Sequence, residues 1–391
     1  MVDLEQIYLR TLETCAPQRL IARALEPDLP RDVVAIGKCA GALLDGLTDV
    51  GDAFVAIPRG YREPSWRTGN PACPDRRDRL CSTIQVHRGG HPQITRESFD
   101  AGRALIEFVD AHENILFLIS GGGSACVELP LAPWFDESGV IEANRKLIAS
   151  GANIGEINCV RKHLSAIKGG RLAERVLGNS VTLVYSDVSS GALADVASGP
   201  TLPDPTTKEH AIAIARRVGL HIDPPETPKR IDRSRVKLIA DNDTLTETAA
   251  SMIPNAIRCE HQIESDVQQA AEELFDRVMQ LERGEVLVAG GEPTVVTRGD
   301  GKGGRCSELA VRFAMLATEP VDALFASSDG IDGSTGVAGF RVALPVKFDR
   351  AAAQRELERS NSFAVASLIG KPLRTAATGN NLRDLYLLAR S

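Results

Sequence analysis

The chain has 391 residues, 43% of them hydrophobic and 25% charged, values of an ordinary globular protein that exclude a wholly disordered chain, a collagen-like fibre or a coiled coil. With 45 Lys plus Arg against 52 Asp plus Glu, the net charge of -7 argues against a general nucleic-acid or anionic-membrane surface, so an anionic substrate would need a local positive pocket. No apolar run approaches the roughly 20 residues of a transmembrane helix, and Met1-Val-Asp-Leu-Glu-Gln lacks the basic and apolar regions of a signal peptide; a cytoplasmic location is expected. The eight cysteines form no C-x-x-C pair and have no histidine at zinc-ligand spacing, so neither disulfides nor structural zinc is expected.

In chain order, short apolar runs alternate with helical patterns. Strands are predicted at 33–36, 54–57, 115–119, 181–185, 236–239, 286–289, 295–297 and 324–326, and helices at 100–112, 144–150, 161–176, 244–252, 266–283 and 305–317. Most of the strand runs are apolar without alternation, as in strands buried on both faces, which implies a parallel-rich sheet with covering helices. The stretch 59–79, with three prolines and Trp66, reads as a surface loop or lid, and Trp134 as a second lid anchor or a simple packing residue. Pro-rich turns at 201–207 and 223–228 place a domain boundary near residue 230.

Ligands of open α/β sheets bind beyond the carboxyl ends of the strands, so the residues following each run carry the functional signal. They are Gly37-Lys38, Ser120-Gly121-Gly122-Gly123-Ser124, Ser186-Asp187, Asp241-Asn242, Gly290-Gly291-Glu292 and Ser327-Ser-Asp329-Gly-Ile-Asp332-Gly333. Glycine, lysine, hydroxyl and carboxylate are the groups of a phosphate and magnesium site. The three glycines let backbone N–H groups approach an anion, and Ser124-Ala125 could open a helix whose dipole favours phosphate; a tight turn without ligand is the alternative. The segment is neither a dinucleotide fingerprint, since Cys126 stands at the third glycine position, nor a Walker loop.

A second glycine loop, Gly299-Asp-Gly-Lys302-Gly-Gly-Arg305, could close over a polyphosphate or be a solvated hairpin; it precedes a helix with Glu308 and Arg312 one turn apart. Arg161, Lys162, His163, Lys168 and Arg171 form a basic cluster, read as a binding face or a solvated one, while Gly169-Gly170 within it points to a close backbone approach or an early helix end. Asp187, Asp329 and Asp332 are metal ligands or turn formers, and His91 before Pro92 could bind a substrate oxygen, although a histidine before proline in a loop is more often structural.

These segments, taken together, resemble the class II glycerate kinases (glycerate 2-kinases), whose C-terminal part is called the MOFRL domain and whose members are often labelled hydroxypyruvate reductases. The likeness runs through Ile36-Gly-Lys-Cys-Ala-Gly, Ile119-Ser-Gly-Gly-Gly-Ser-Ala, residues 157–173, residues 197–207, Ala289-Gly-Gly-Glu, Gly301-Lys-Gly-Gly-Arg305, Asp329-Gly-Ile-Asp-Gly333, and Asn381 with Asp384. It implies an N-terminal Rossmann-like domain (1–230), with a parallel-rich sheet and helices on both faces, and a smaller C-terminal α/β domain of MOFRL type (231–391). It also implies an ATP- and Mg2+-dependent kinase that phosphorylates the 2-hydroxyl of D-glycerate or a close sugar acid in an inter-domain cleft. In that reading Lys38, Asp187 and Arg305 are catalytic. Ser120, Gly121, Gly122, Gly123, Ser124, Asn158, Arg161, Lys162, Lys168, Glu292, Lys302 and Glu308 bind substrate or phosphate, and Asp187, Asp329 and Asp332 bind the metal. The partners are nucleotide and sugar acid, without nucleic acid or membrane, and a homodimer is compatible with the sequence.

The sequence departs from the family in two places. Ser189-Ser-Gly-Ala192 stands where proline, glycine and two aspartates are usual, and Cys306-Ser307 where Asn-Gln is usual. The rival functions are an NAD(P)H-dependent hydroxypyruvate reductase, which lacks its dinucleotide fingerprint here, and a non-catalytic binding paralogue.

Overall fold

The computed structural model describes residues 2–65, 83–189 and 191–390. Trp66 and most of the expected lid at 59–79, together with Ser190, lie outside these residues. The chain divides into two compact units, one of residues 17–239 and the other of residues 1–16 with 240–391. Two features separate this division from the sequence-based ranges 1–230 and 231–391. The stretch after residue 230 still supplies a strand to the first unit, and the N-terminal helix Leu4–Thr14 belongs to the second.

The first unit is built on a six-stranded sheet: β1 (Asp32–Ile36), β2 (Ala53–Pro58), β3 (Ile84–Gly89), β4 (Ile115–Ser120), β5 (Ser180–Tyr185) and β6 (Ser234–Ala240), in the order β3-β2-β1-β4-β5-β6. Strands β1 to β5 pair in parallel. Strands β2, β4 and β5 are buried at every residue, as their unalternating apolar sequences require of strands covered on both faces. On one face Val34, Ile36, Phe54, Phe117 and Ile119 pack with Ala101, Leu105 and Phe108 of the helix Arg96–Ala111. The order is that of a dinucleotide-binding sheet, and it reverses direction between β1 and β4. Strand β3 has no apolar run to announce it, because Ile84-Gln-Val-His-Arg-Gly alternates polar residues along a partly exposed edge.

The second unit holds β7 (Ala256–Arg258), β8 (Val286–Gly291), β9 (Val321–Ser327), β10 (Gly339–Leu344), β11 (Lys371–Leu373) and β12 (Asp384–Arg390), in the order β11-β10-β9-β12-β8-β7. This sheet is mixed. Only β7 and β8 pair in parallel, and β12 runs antiparallel between β8 and β9. The predicted strand at 295–297 is irregular, and β10, β11 and β12 replace it as sheet partners. The predicted helix 161–176 is two pieces, Ile154–Leu164 and Arg171–Arg175, with Gly169 (φ 61°) and Gly170 (φ 86°) in the left-handed region between them. The first helix ends before the glycine pair, at Leu164, and the pair itself serves the close backbone approach read from it: Gly169 and Gly170 N–H donate to the Ser198 and Gly199 carbonyls, and a Cβ on Gly170 would lie 2.8 Å from the Leu202 carbonyl oxygen. Among the described residues no helix is long and apolar enough to cross a membrane.

Candidate active site

The switch between β1 and β4 gathers the first cluster. Gly37 takes φ 113°, and a Cβ there would overlap the Ser120 carbonyl, so the chain leaving β1 must be glycine to pass β4. Lys38 N–H donates to the Gly121 carbonyl (2.8 Å), Cys39 N–H to Ser120 Oγ (3.1 Å), and Ser120 Oγ to the Ile36 carbonyl (3.2 Å). The two turns are thus stitched together before any ligand arrives. Ser120 is wholly buried and acts through this stitching.

The Lys38 stem runs over Gly122, where an added Cβ would lie 2.8 Å from Cγ, and its ammonium stands 5.8 Å from the Tyr61 ring centroid. The Asp187 carboxylate, at the end of β5, packs on Gly121 so closely that any side chain there would overlap it. His91, two residues beyond β3, faces both groups. Partial burial first and the Lys38 charge second hold its imidazole below the ordinary value, while Asp187 acts in the opposite sense.

The helix opened by Gly123 is a single turn, Gly123–Cys126, too short to present the dipole expected from Ser124-Ala125. Ser124 Oγ instead bonds Ser198 Oγ (2.8 Å), which donates to Asn158 Oδ1 (3.0 Å). Asn158 is therefore a buried support one step behind Ser124. Cys126, at the position of the missing third glycine, is buried, and its thiol contacts the Ala56 carbonyl at 3.7 Å.

The basic cluster is not a solvated face. Lys162 is buried between Asp195 (2.8 Å) and Asp204 (3.3 Å), and Lys168 is buried against Glu128 (2.5 Å) and the Val127 carbonyl. Arg161 donates through Nε and Nη2 to Asn144 Oδ1, and burial lowers its pKa. Lys162 and Lys168 are matched by acids inside the fold, so their assignment to phosphate binding gives way to a structural role, whereas Arg161 bonds the neutral amide of Asn144. Of the turn where the two family aspartates are absent, Ala192 N–H donates to the Ser189 carbonyl, and the nearest following acid, Asp195, is the partner of Lys162.

In the second unit, Arg305 is the first residue of the helix Arg305–Leu316. Its Nε and Nη2 donate to the two oxygens of Asp384 (3.1 and 3.2 Å), and Nη1 lies 2.7 Å from Glu292 Oε1. Asp384 first and Glu292 after it raise the guanidinium pKa against the effect of burial. Glu308 accepts from Arg312 on the same helix (2.9 and 2.6 Å) and is buried, which makes it a helix-face pair rather than a ligand group.

The glycine loop is tied down rather than hanging open. Gly301 N–H donates to the Arg359 carbonyl, Lys302 N–H to Asn361 Oδ1 and Gly303 N–H to Ser334 Oγ, while the Lys302 ammonium lies 4.4 Å from the Phe363 ring centroid. Asp332 is not arranged as a metal ligand. Its two oxygens accept the N–H groups of Cys306 and Ser307 (2.8 and 2.9 Å), stopping the first turn of the helix. Burial pushes its carboxyl up to about 6 in spite of those bonds. Asp329 Oδ1 accepts from Ser327 Oγ and Ile331 N–H, the turn-forming alternative read from the sequence.

Asp187 lies in one unit and Asp329 and Asp332 in the other. Among the described residues one trio of metal-ligand type stands elsewhere: ligand atoms of Cys259, His261 and Glu273 lie within 4.8 Å of one another, with Arg277 donating to Glu273 at 3.1 Å and 3.3 Å from His261 Nε2.

Two residues outside the expected site set gain weight from the structure: His91, for which the sequence offers a binding or a structural role, and Asp384, which the family likeness includes without a role. Recognition of β3 would have flagged His91 by the strand-end rule. Asp384 begins β12, and an antiparallel central strand brings its amino end to the edge where β8 and β9 finish, opposite Gly291 and Ser327.

A dinucleotide-type sheet with lysine at its switch point, joined in one chain to a mixed sheet bearing a carboxylate-held arginine, defines a two-unit α/β protein. Residues 3–231 match a family described as a domain of unknown function, DUF4147, and residues 285–384 match the MOFRL family. The chain is 30% identical to D-glycerate 2-kinase of Thermotoga maritima, covering 98% of this chain and 96% of that protein. It is 33% identical to glycerate 2-kinase of Sulfurisphaera tokodaii over 78% of this chain and 79% of that one. A crystal structure of glycerate kinase from T. maritima superposes with a TM-score of 0.84 at 29% identity, covering 99% of this chain and 98% of that chain. The chain belongs to the glycerate 2-kinase family, with a MOFRL region in its C-terminal part. These relatives support a phosphotransferase over a hydride-transferring reductase.

Proposed function

We propose that the protein transfers the terminal phosphate of ATP to the 2-hydroxyl of D-glycerate, with Mg2+. The observation that carries the proposal is Lys38 at the sheet's switch point, its stem over Gly122 and Asp187 packed on the adjoining Gly121. Little covalent chemistry is asked of the protein in phosphoryl transfer, and positioning with charge neutralisation supplies most of the rate. Lys38 offers the ammonium that neutralises phosphoryl oxygens as charge redistributes. Gly37, Gly121 and Gly122, where a Cβ would meet Ser120, the Asp187 carboxylate and the Lys38 stem respectively, let these groups pack closely on the backbone.

The donor set fits one hydrated magnesium ion better than a three-aspartate cage, because the Asp332 oxygens are taken by backbone N–H groups and Asp329 closes its own turn. Asp187 would hold the ion, which needs only one or two carboxylates beside phosphate oxygens and water. Bound there, Mg2+ would offset phosphate charge. Arg305 presents a fixed guanidinium suited to a carboxylate or phosphate of the reactants.

The test is a paired assay: ADP release with D-glycerate, and NADPH oxidation with hydroxypyruvate. ADP release that EDTA abolishes and added Mg2+ restores is the expected result. NADPH oxidation without ADP release would replace the kinase by the reductase, and neither activity would leave the non-catalytic paralogue.

A further inference from the structure

Arg305 meets its partners in an arrangement with more acid than base. Its planar fork has five N–H groups, and carboxylates engage one on each of its three nitrogens: Asp384 on Nε and Nη2, Glu292 on Nη1. Asp384 has no exposed surface, whereas Glu292 is about one-third exposed, with a side-chain accessibility of 37%. The Tyr386 hydroxyl also donates to Asp384 Oδ2 at 3.3 Å. Arg383 offsets part of the excess charge, its Nε lying 3.6 Å from Glu292 Oε2 while its Nη1 bonds Glu264.

A buried carboxylate in the middle of a sheet is costly unless its charge is matched. Here the match runs through a bidentate pair, whose flat geometry fixes the plane of the guanidinium as well as its distance. Arg305 follows a glycine-rich loop and opens a helix, so its backbone leaves the long side chain many rotamers; Asp384, rigid in β12 between β8 and β9, selects one. Arginine does not need a carboxylate to stay charged.

We infer that Asp384 is a positioning residue, which pins the plane of Arg305 so that its two remaining N–H groups point at the reacting anion, with Glu292 trimming the fork from the other side. The inference rests on the reading of Arg305 as a substrate-contacting cation. Asp384→Asn keeps the shape but replaces one acceptor by an N–H donor facing the guanidinium, so the fork should swing.

The experiment is a double-mutant cycle on turnover with ATP and glycerate, using Arg305→Lys, Asp384→Asn and both together, each checked for an unchanged near-ultraviolet circular dichroism spectrum. Asp384→Asn alone should lower kcat by about 10- to 100-fold. In the Arg305→Lys background, which has no fork to orient, it should lower kcat by less than about threefold. The same loss in both backgrounds, or no loss from Asp384→Asn while Arg305→Lys is crippled, overturns the positioning role. Full activity of Arg305→Lys would instead refute the contact between Arg305 and the reactants.

A readout free of activity is the Arg305 Nε–Hε resonance. In the wild type it should be a slowly exchanging peak, sensitive to Glu292→Gln and lost in Asp384→Asn. Rapid exchange in the wild type overturns the inference even if Asp384→Asn does not fold.

Discussion

The two sheets present their chemistry by different rules. In the first unit every paired strand from β1 to β5 runs the same way, so each finishes at one edge and the residues after it meet: Lys38, Gly121, Asp187 and, after β3, His91. In the second, β12 runs against β8 and β9, and the buried acid at that edge comes from a strand's beginning. Cations differ in the same way. Lys38 sits at a strand end beside glycines, whereas Lys162 and Lys168, in a motif that looks just as basic, are sealed against acids in the interior. Two equally basic motifs thus end in different surroundings, one at the sheet's switch point among glycines and one inside the unit against acids.

The sharpest way to break this contrast is Lys38→Ala. Turnover should fall by about a thousandfold, the scale of removing a preorganised charge from a transition state, with the melting temperature nearly unchanged. Near-normal turnover would remove Lys38 from the chemistry.

Its counterpart, Lys162→Ala, should reverse the pattern. Loss of the buried partner leaves Asp204 uncompensated and should cost about 3 to 5 kcal/mol in denaturant unfolding, while the fraction still folded keeps its turnover. A large loss of turnover at unchanged stability would return Lys162 to the ligand-binding set.

Asp332 tests the second unit through pH. Its carboxyl is raised from 3.8 to about 6, so between those values the native state holds the proton more tightly than the unfolded chain. Stability from this group is therefore greatest at low pH and is lost as pH rises through about 6. The gap of roughly two pH units corresponds to about 3 kcal/mol by neutrality. Thermal midpoints measured from pH 4.5 to 7.5 should show the wild type falling relative to Asp332→Asn, which cannot ionise. A constant difference would mean that the helix-capping carboxylate titrates normally.

The smallest effect is expected from Lys302→Ala. With its loop tied to residues 359–363 and its ammonium over Phe363, the change should cost about 0.5 to 1 kcal/mol and alter the KM for ATP by less than about threefold. A tenfold rise in that KM would restore the lid role read from the glycine loop.

Much of this is legible in the sequence. Runs of successive apolar residues, broken only by Thr182 in β5, give β1, β2, β4 and β5, since a strand covered on both faces has no polar side to show. Strand β3 is hidden because its alternating polar residues suit a partly exposed edge, and without that strand His91 has no strand end to mark it. The basic cluster misled for a physical reason. Charge is written in the sequence at each residue, but the acids that cancel it, Glu128, Asp195 and Asp204, come from distant parts of the chain.

By itself the sequence determined local matters: which stretches bury on both faces, where glycine lets the backbone pass close, and where a lysine must follow a strand. Only the tertiary structure decided the pairings, such as Arg305 with Asp384 across 79 positions, or Asp332 with the N–H groups of Cys306 and Ser307. Backbone conformation and apolar periodicity are set by neighbours in the chain, whereas the direction of β12 and the cancelling of a buried charge depend on which distant segments the folded core brings together.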